Sequence, residues 1–268
     1  MKDRLIKSNP FWISIFSILS WLILFLFIIV SVIEQDIEQK KSQMDRFTTN
    51  YSEQLNKYLI SNNTILKGFS ALFAAVGKTY STETKDYAKE VIEANPQIYA
   101  LEVVQKVGND QLGSFVEDMR QNTDPDYTVK SFSYESDRKW QELKEKPTYY
   151  PLVFMEPLRP GSEDVLGLDM ESVPFLKRAM LDSIKNRSPV MSHPFRLIEG
   201  NRAYVVFSPI TQKFNKGIVI HDELLACMVV DIDILTMQEK IPIINGQEVY
   251  IYHNDFSHDD PEGQLLNI

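Results

Sequence analysis

A chain of 268 residues with 44% hydrophobic and 24% charged residues can bury a large core, which excludes disordered, collagen-like and disulfide-scaffold classes. A net charge of -9 offers no cationic face for phosphate, so nucleic acid is not an expected partner. The single cysteine, Cys227, excludes an internal disulfide and reads as a small buried strand residue.

Residues 11–33, FWISIFSILSWLILFLFIIVSVI, carry no charge, and their only polar side chains are serine hydroxyls. At helical rise they reach roughly 35 Å, enough to cross a bilayer core of about 30 Å. Asn9 and Pro10 supply a cap and a first-turn proline. The segment runs into Glu34, Gln35 and Asp36 instead of a small-residue cleavage site, so it is expected to be an uncleaved anchor. Lys2, Arg4 and Lys7 precede it and Glu34, Asp36 and Glu38 follow, which places residues 1–10 in the cytoplasm and the C-terminal part in the periplasm or outside the cell.

Residues 34–78 hold no proline and no glycine before Gly68, and read as a helix continuing out of the membrane. Leu55, Leu59, Asn62, Leu66, Phe69, Phe73 and Val76 alternate at spacings of three and four, a heptad seam in which Asn62 would set register. That face serves either a homodimer or packing on the chain's own globular domain, or each along a different length. A short amphipathic helix is expected from Ser81 or Thr82 and must stop before Pro96. Aromatic and β-branched runs predict strands at 98–107, 149–155, 189–197, 203–210, 224–232 and 248–252, with helices near 111–119, 173–186 and 234–240. Short connections between strands favour an antiparallel sheet with flanking helices, an α+β fold.

No Walker loop, Rossmann glycine pattern, HExxH or GxSxG is present, so no catalytic residue and no cofactor are expected. His253, Asp255, His258, Asp259 and Asp260 could ligate a divalent cation or form a solvated loop, and the spacing matches no specific metal site.

The stretch 149–210 is the most informative. Tyr150-Pro151 with Glu156-Pro157, the turn Leu166-Gly167-Leu168-Asp169, the segment SPVMSHPFRL at 188–197 and the apolar strand ending at Pro209 together resemble the CHASE domain. That domain is the extracellular sensory module of histidine kinases, adenylate cyclases and diguanylate cyclases and phosphodiesterases. Asn95-Pro96, Tyr99-Ala100-Leu101-Glu102 and Phe115 extend the resemblance upstream, over about residues 60–250 in all. It implies a long signalling helix, a membrane-distal PAS-like domain at 79–240 that holds the ligand, and a membrane-proximal PAS-like domain of which 241–268 is only the start. The family pattern continues to a second membrane helix, so a fragment of a longer receptor is expected.

The resemblance also implies roles. In the plant cytokinin receptors of the family, an aspartate in the loop matching Asp169 accepts hydrogen bonds from an adenine ring, and a main-chain group near Met191 completes recognition. Asp169 is therefore the first candidate ligand-binding residue, with capping of the following helix as the alternative. Leu101, Phe154, Met191, Phe195, Tyr204 and Val206, with Val103, are candidate pocket residues or ordinary core. Gly200 stands where the plant proteins carry a small hydroxyl residue, so the ligand is an adenine-like molecule or another small compound, anionic if Arg196 or Arg202 faces the cavity. The expected function is ligand sensing, coupled through dimeric helices to a cytoplasmic kinase or cyclase in two-component or cyclic-di-GMP signalling. A ligand-free anchored dimer is the rival.

Overall fold

The structure, a computed structural model, describes residues 10–76, 81–134, 138–159, 162–197, 200–214, 217–237, 251–252 and 265–266. The chain divides into two compact units, Met1–Leu59 and Ile60–Ile268. The N-terminal helix α1 (Pro10–Val76) runs through the boundary in sequence. In the first unit, the large apolar side chains from Phe11 to Ile33 are all exposed, and this stretch is long and apolar enough to cross a membrane. Beyond it the surface turns polar, with Lys40 paired to Asp36 one turn back at 2.8 Å. The expected cytoplasmic residues 1–9 lie outside the described residues.

The second unit carries the remaining elements: α2 (Thr82–Ala94), β1 (Ile98–Gln105), β2 (Val107–Gly108), α3 (Leu112–Asn122), β3 (Ser131–Ser133), β4 (Lys139–Gln141), β5 (Thr148–Tyr149), β6 (Leu152–Glu156), α4 (Pro174–Asn186), β7 (Val190–Met191), β8 (Phe195–Arg196), β9 (Arg202–Phe214), β10 (Gly217–Asp231) and α5 (Ile232–Met237). The two-residue strands β11 (Ile251–Tyr252) and β12 (Leu265–Leu266) pair with each other. The main sheet is antiparallel, in the order β6-β1-β10-β9-β7, with β8 also paired to β9. This is the expected α+β domain of PAS-like form.

Local chemistry explains the boundaries. The Ser81 hydroxyl caps α2 by accepting the Thr84 N–H at 3.1 Å, and the helix ends at Asn95, before Pro96. Pro174 opens α4, and Arg187 closes it in the left-handed conformation. The expected strand at 189–197 is instead two short pieces. Pro194 has no N–H to donate, and the Ser192 hydroxyl takes the Val205 N–H at 3.0 Å in place of a regular ladder bond. The hairpin β3–β4 was not expected from the sequence.

Both faces of the sheet are buried. Leu101, Val103, Phe154, Tyr204, Ala226, Met228 and Val230 lie on one face, under Leu66, Phe69 and Phe73 of α1 and Ala88 of α2. Tyr99, Val104, Met155, Val205, Phe207, Cys227 and Val229 lie on the other, under Leu176, Ala179 and Met180 of α4. The seam from Asn62 to Phe73 thus packs on the chain's own sheet, correcting the reading of Asn62 as a register-setting dimer residue. Its carboxamide oxygen receives the Gln97 amide at 3.5 Å, and it bonds the Tyr204 phenol, whose pKa burial raises and this bond lowers.

Gly167 has φ +83° and sits where the loop before α4 crosses the chain: its N–H donates to the Leu152 carbonyl at 2.9 Å, and its own carbonyl accepts from Lys130 N–H at 3.0 Å. A Cβ there would run into the Thr128 carbonyl oxygen. Gly167→Ala should destabilise the domain by at least about 2 kcal/mol, read as a lowered denaturant midpoint, because strain and clash act together. An unchanged midpoint would mean that the loop is free to shift.

Candidate functional site

On the α4 face, the sheet, the β3–β4 hairpin and the segment around β8 line a cavity of about 100 Å³ that opens to solvent at one side. Tyr99 and Glu102 of β1, Met155 of β6, Val205 of β9 and Val229 of β10 form its floor. The walls are aromatic. Phe132 meets Trp140 edge-on at 5.0 Å, Tyr134 meets Phe175 edge-on at 4.9 Å, and Phe175 lies 5.0 Å from Phe195.

The mouth is held by polar bonds among its own residues. The Tyr134 phenol donates to the Arg196 carbonyl at 3.1 Å and accepts the Arg196 N–H at 2.8 Å. Arg138 donates to the Arg196 carbonyl at 2.6 Å with its guanidinium 4.7 Å from the Tyr134 ring, and Arg196 donates to the Gly200 carbonyl at 3.1 Å. Arg159 stacks over the Tyr99 ring at 4.5 Å.

Glu102 is the one acidic side chain lining this cavity. It is 4% exposed, opposite Cys227 on β10 and Met155 on β6, and among the described residues no donor or cation pairs with its carboxyl. Desolvation pushes its pKa up to about 8, so at neutral pH the acid is mostly protonated. Burial and then the Glu102 charge push the Cys227 thiol up. The site holds a buried proton donor that can become a carboxylate, and aromatic faces to hold a small body against it. Among the described residues no group of three His, Cys, Asp or Glu could hold a metal, and the 253–260 cluster lies outside them.

Of the sequence-derived candidates, the cavity includes Phe195 and, at its mouth, Arg196. Leu101, Phe154, Tyr204 and Val206, with Val103, share a face as expected, but it is the face under α1, where they are core. Alternation explains this: their neighbours Glu102, Met155 and Val205 point the other way, into the cavity. Met191 is 53% exposed at the sheet edge and does not line the cavity. Asp169 is 1% exposed and also does not line it. One oxygen accepts the Tyr150 N–H at 2.9 Å and the other meets the Lys146 ammonium at 2.6 Å, while Lys146 also reaches Glu171 at 2.6 Å. Burial, then the Glu171 and Asp169 charges, raise the Tyr150 phenol. Asp169 makes no side-chain cap to the following turn. Arg202 is committed to Asp233 at 2.5 and 2.8 Å and Arg196 stands at the mouth, so only Arg196 is placed to meet a ligand.

Glu102 was missed, although a charge inside the apolar run IYALEVVQ was a readable signal. The hairpin that supplies Phe132 and Trp140 was missed because its strands are three residues each.

No curated protein matches the chain. Among solved structures it is similar to the extracellular domain of mmHK1S-Z2, described as a histidine kinase, at 14% identity and TM-score 0.38, covering 69% of this chain and 58% of that one. It is also similar to an extracellular ligand binding receptor from Desulfohalobium retbaense at 13% identity and TM-score 0.33, covering 67% of this chain and 25% of that one. The chain thus spans less than two thirds of either. The family model for the CHASE domain matches residues 80–234, more than half of the sequence, and with its long apolar N-terminal helix and antiparallel sheet domain the chain belongs to the CHASE domain family of extracellular sensory regions.

Proposed function

We propose that this chain binds a small molecule in the cavity between the sheet and α4 and passes the event through α1 to a cytoplasmic kinase or cyclase. The observation that carries the reading is an aromatic-walled cavity in the sensory domain with a buried carboxyl at its floor that no described residue pairs with. In this reading residues 11–33 anchor the chain in the cell membrane, residues 79–240 are the ligand-binding domain, residues 241–268 begin a membrane-proximal domain, and two copies associate. Ligand binding changes output only through unequal affinity for two arrangements of the helices.

The test is thermal unfolding of the full chain in nanodiscs against amines, amino acids, small carboxylates and adenine-type compounds. A ligand at a hundred times its Kd adds about 2.7 kcal/mol, a shift of several degrees. Val229→Phe, which fills the floor, should abolish the shift while leaving the protein folded. A full panel without any shift would favour a ligand-free anchored dimer.

A further inference from the structure

The charge of the occupant follows from the cavity, given that the cavity is the ligand site. We infer that it receives a compact organic cation, its charge against Glu102 and its body between the aromatic side chains that form the walls.

Among the described residues that line the cavity, Glu102 is the only acidic side chain, and none of them pairs with its carboxyl. A buried carboxyl on a central strand is an expensive choice unless something meets it. The two lining arginines do not. Arg138 and Arg196 are exposed at the mouth, where solvent screens them and their guanidinium groups are bonded to main-chain carbonyls. An anionic ligand would bring like charge toward Glu102 in a desolvated space. A neutral ligand would gain one ordinary hydrogen bond from the protonated acid. A cation gains the carboxylate and the ring faces together.

The rings of this site already show their affinity for cations: Arg159 over Tyr99 at 4.5 Å and Arg138 over Tyr134 at 4.7 Å. The size also restricts the ligand, since an apolar cavity of about 150 Å³ takes benzene, and about 100 Å³ suits a head such as trimethylammonium.

Binding then carries a proton balance: the protonated Glu102 carboxyl releases its proton to solvent as the cation arrives and leaves a carboxylate–cation pair. With the carboxyl at about 8, this ionisation at pH 7 costs a factor of about ten, less than a desolvated charge pair with ring contacts returns. Among the described residues, the other titratable or charged groups around Glu102 are the phenols of Tyr99 and Tyr134, the Arg138 and Arg196 guanidiniums, Arg159 over the Tyr99 ring and, opposite on β10, the Cys227 thiol. The nearest residues of β6 and α4, Met155 and Leu176, do not titrate.

The test is calorimetric titration of the full chain in detergent with choline and with its uncharged carbon isostere, in which carbon replaces the ammonium nitrogen, between about pH 6 and pH 9. Choline affinity should rise close to tenfold per pH unit up to about pH 8 and then level off, with proton release seen in buffers of different ionisation enthalpy. Glu102→Gln should weaken choline at least tenfold at high pH and remove the slope. Isostere binding as tight as choline, or choline binding indifferent to pH, would overturn the cation while keeping the cavity as a ligand site. Absence of binding by both overturns the cation, and the wider panel then decides whether the cavity is a site at all.

Discussion

Asp169→Ala is expected to lower the stability of the full chain by about 3 kcal/mol, read by denaturant unfolding, while leaving the ligand affinity of the folded protein within about twofold. The carboxylate is 1% exposed and does two jobs: it accepts the Tyr150 N–H in the link between β5 and β6 and holds Lys146 at 2.6 Å. Removing it strands a buried backbone donor, which costs about 1–3 kcal/mol, and breaks an ion pair buried on the Asp169 side, for which about 3–5 kcal/mol is typical. Lys146 keeps Glu171 at 2.6 Å, so the lower part of the combined range applies. Asp169→Asn keeps an acceptor for the Tyr150 N–H and should recover part of the loss. Stability near wild type together with a lost ligand response would instead return Asp169 to the binding site.

The aspartate shows where sequence reading reached its limit. Its loop, its burial partners and the helix after it all lie close together, and the motif identified the family, yet family likeness does not fix which way one carboxylate points. The same limit separates the sheet from its faces. The strands were legible because β-branched and aromatic residues concentrate in them. β1, however, is buried at seven of its eight positions, so period-two alternation between apolar and polar side chains is absent, and nothing in the sequence says which set meets α1 and which meets the cavity. One candidate set was internally consistent and faced away from the cavity. The heptad seam carried a similar ambiguity, because a helix packed on a sheet and a helix packed on its twin both present apolar residues at spacings of three and four. Leu66, Phe69 and Phe73 pack on the sheet, which settles their part of the seam. The informative irregularity was Glu102, whose charge interrupts an apolar strand.

Glu102→Gln should make the ligand-free protein more stable than wild type above about pH 8, by several kcal/mol, and leave it close to wild type below about pH 4.5. The sign follows from proton binding. Folding raises this carboxyl from 4.5 to about 8, so between those values the folded protein holds a proton that the unfolded chain has released. Stability is fully present below about pH 4.5, falls by about 1.4 kcal/mol per pH unit as pH rises, and levels off above about pH 8 after a loss on the order of 5 kcal/mol. Glutamine has the same shape and no proton to lose, so its curve should lack this loss across that window. The other groups raised by burial start from higher values, 9.0 for the Cys227 thiol and 10.0 for Tyr87, Tyr150 and Tyr204, so their losses fall at more alkaline pH and do not overlap the window. Urea unfolding followed by tryptophan fluorescence is the direct measurement: Trp140 stands in the cavity wall, and the other two, Trp12 and Trp21, sit in the apolar stretch of α1. Parallel wild-type and variant curves from pH 4.5 to 8 would mean that Glu102 already has a partner in the empty site, which would also remove the ground for assigning a cation to it.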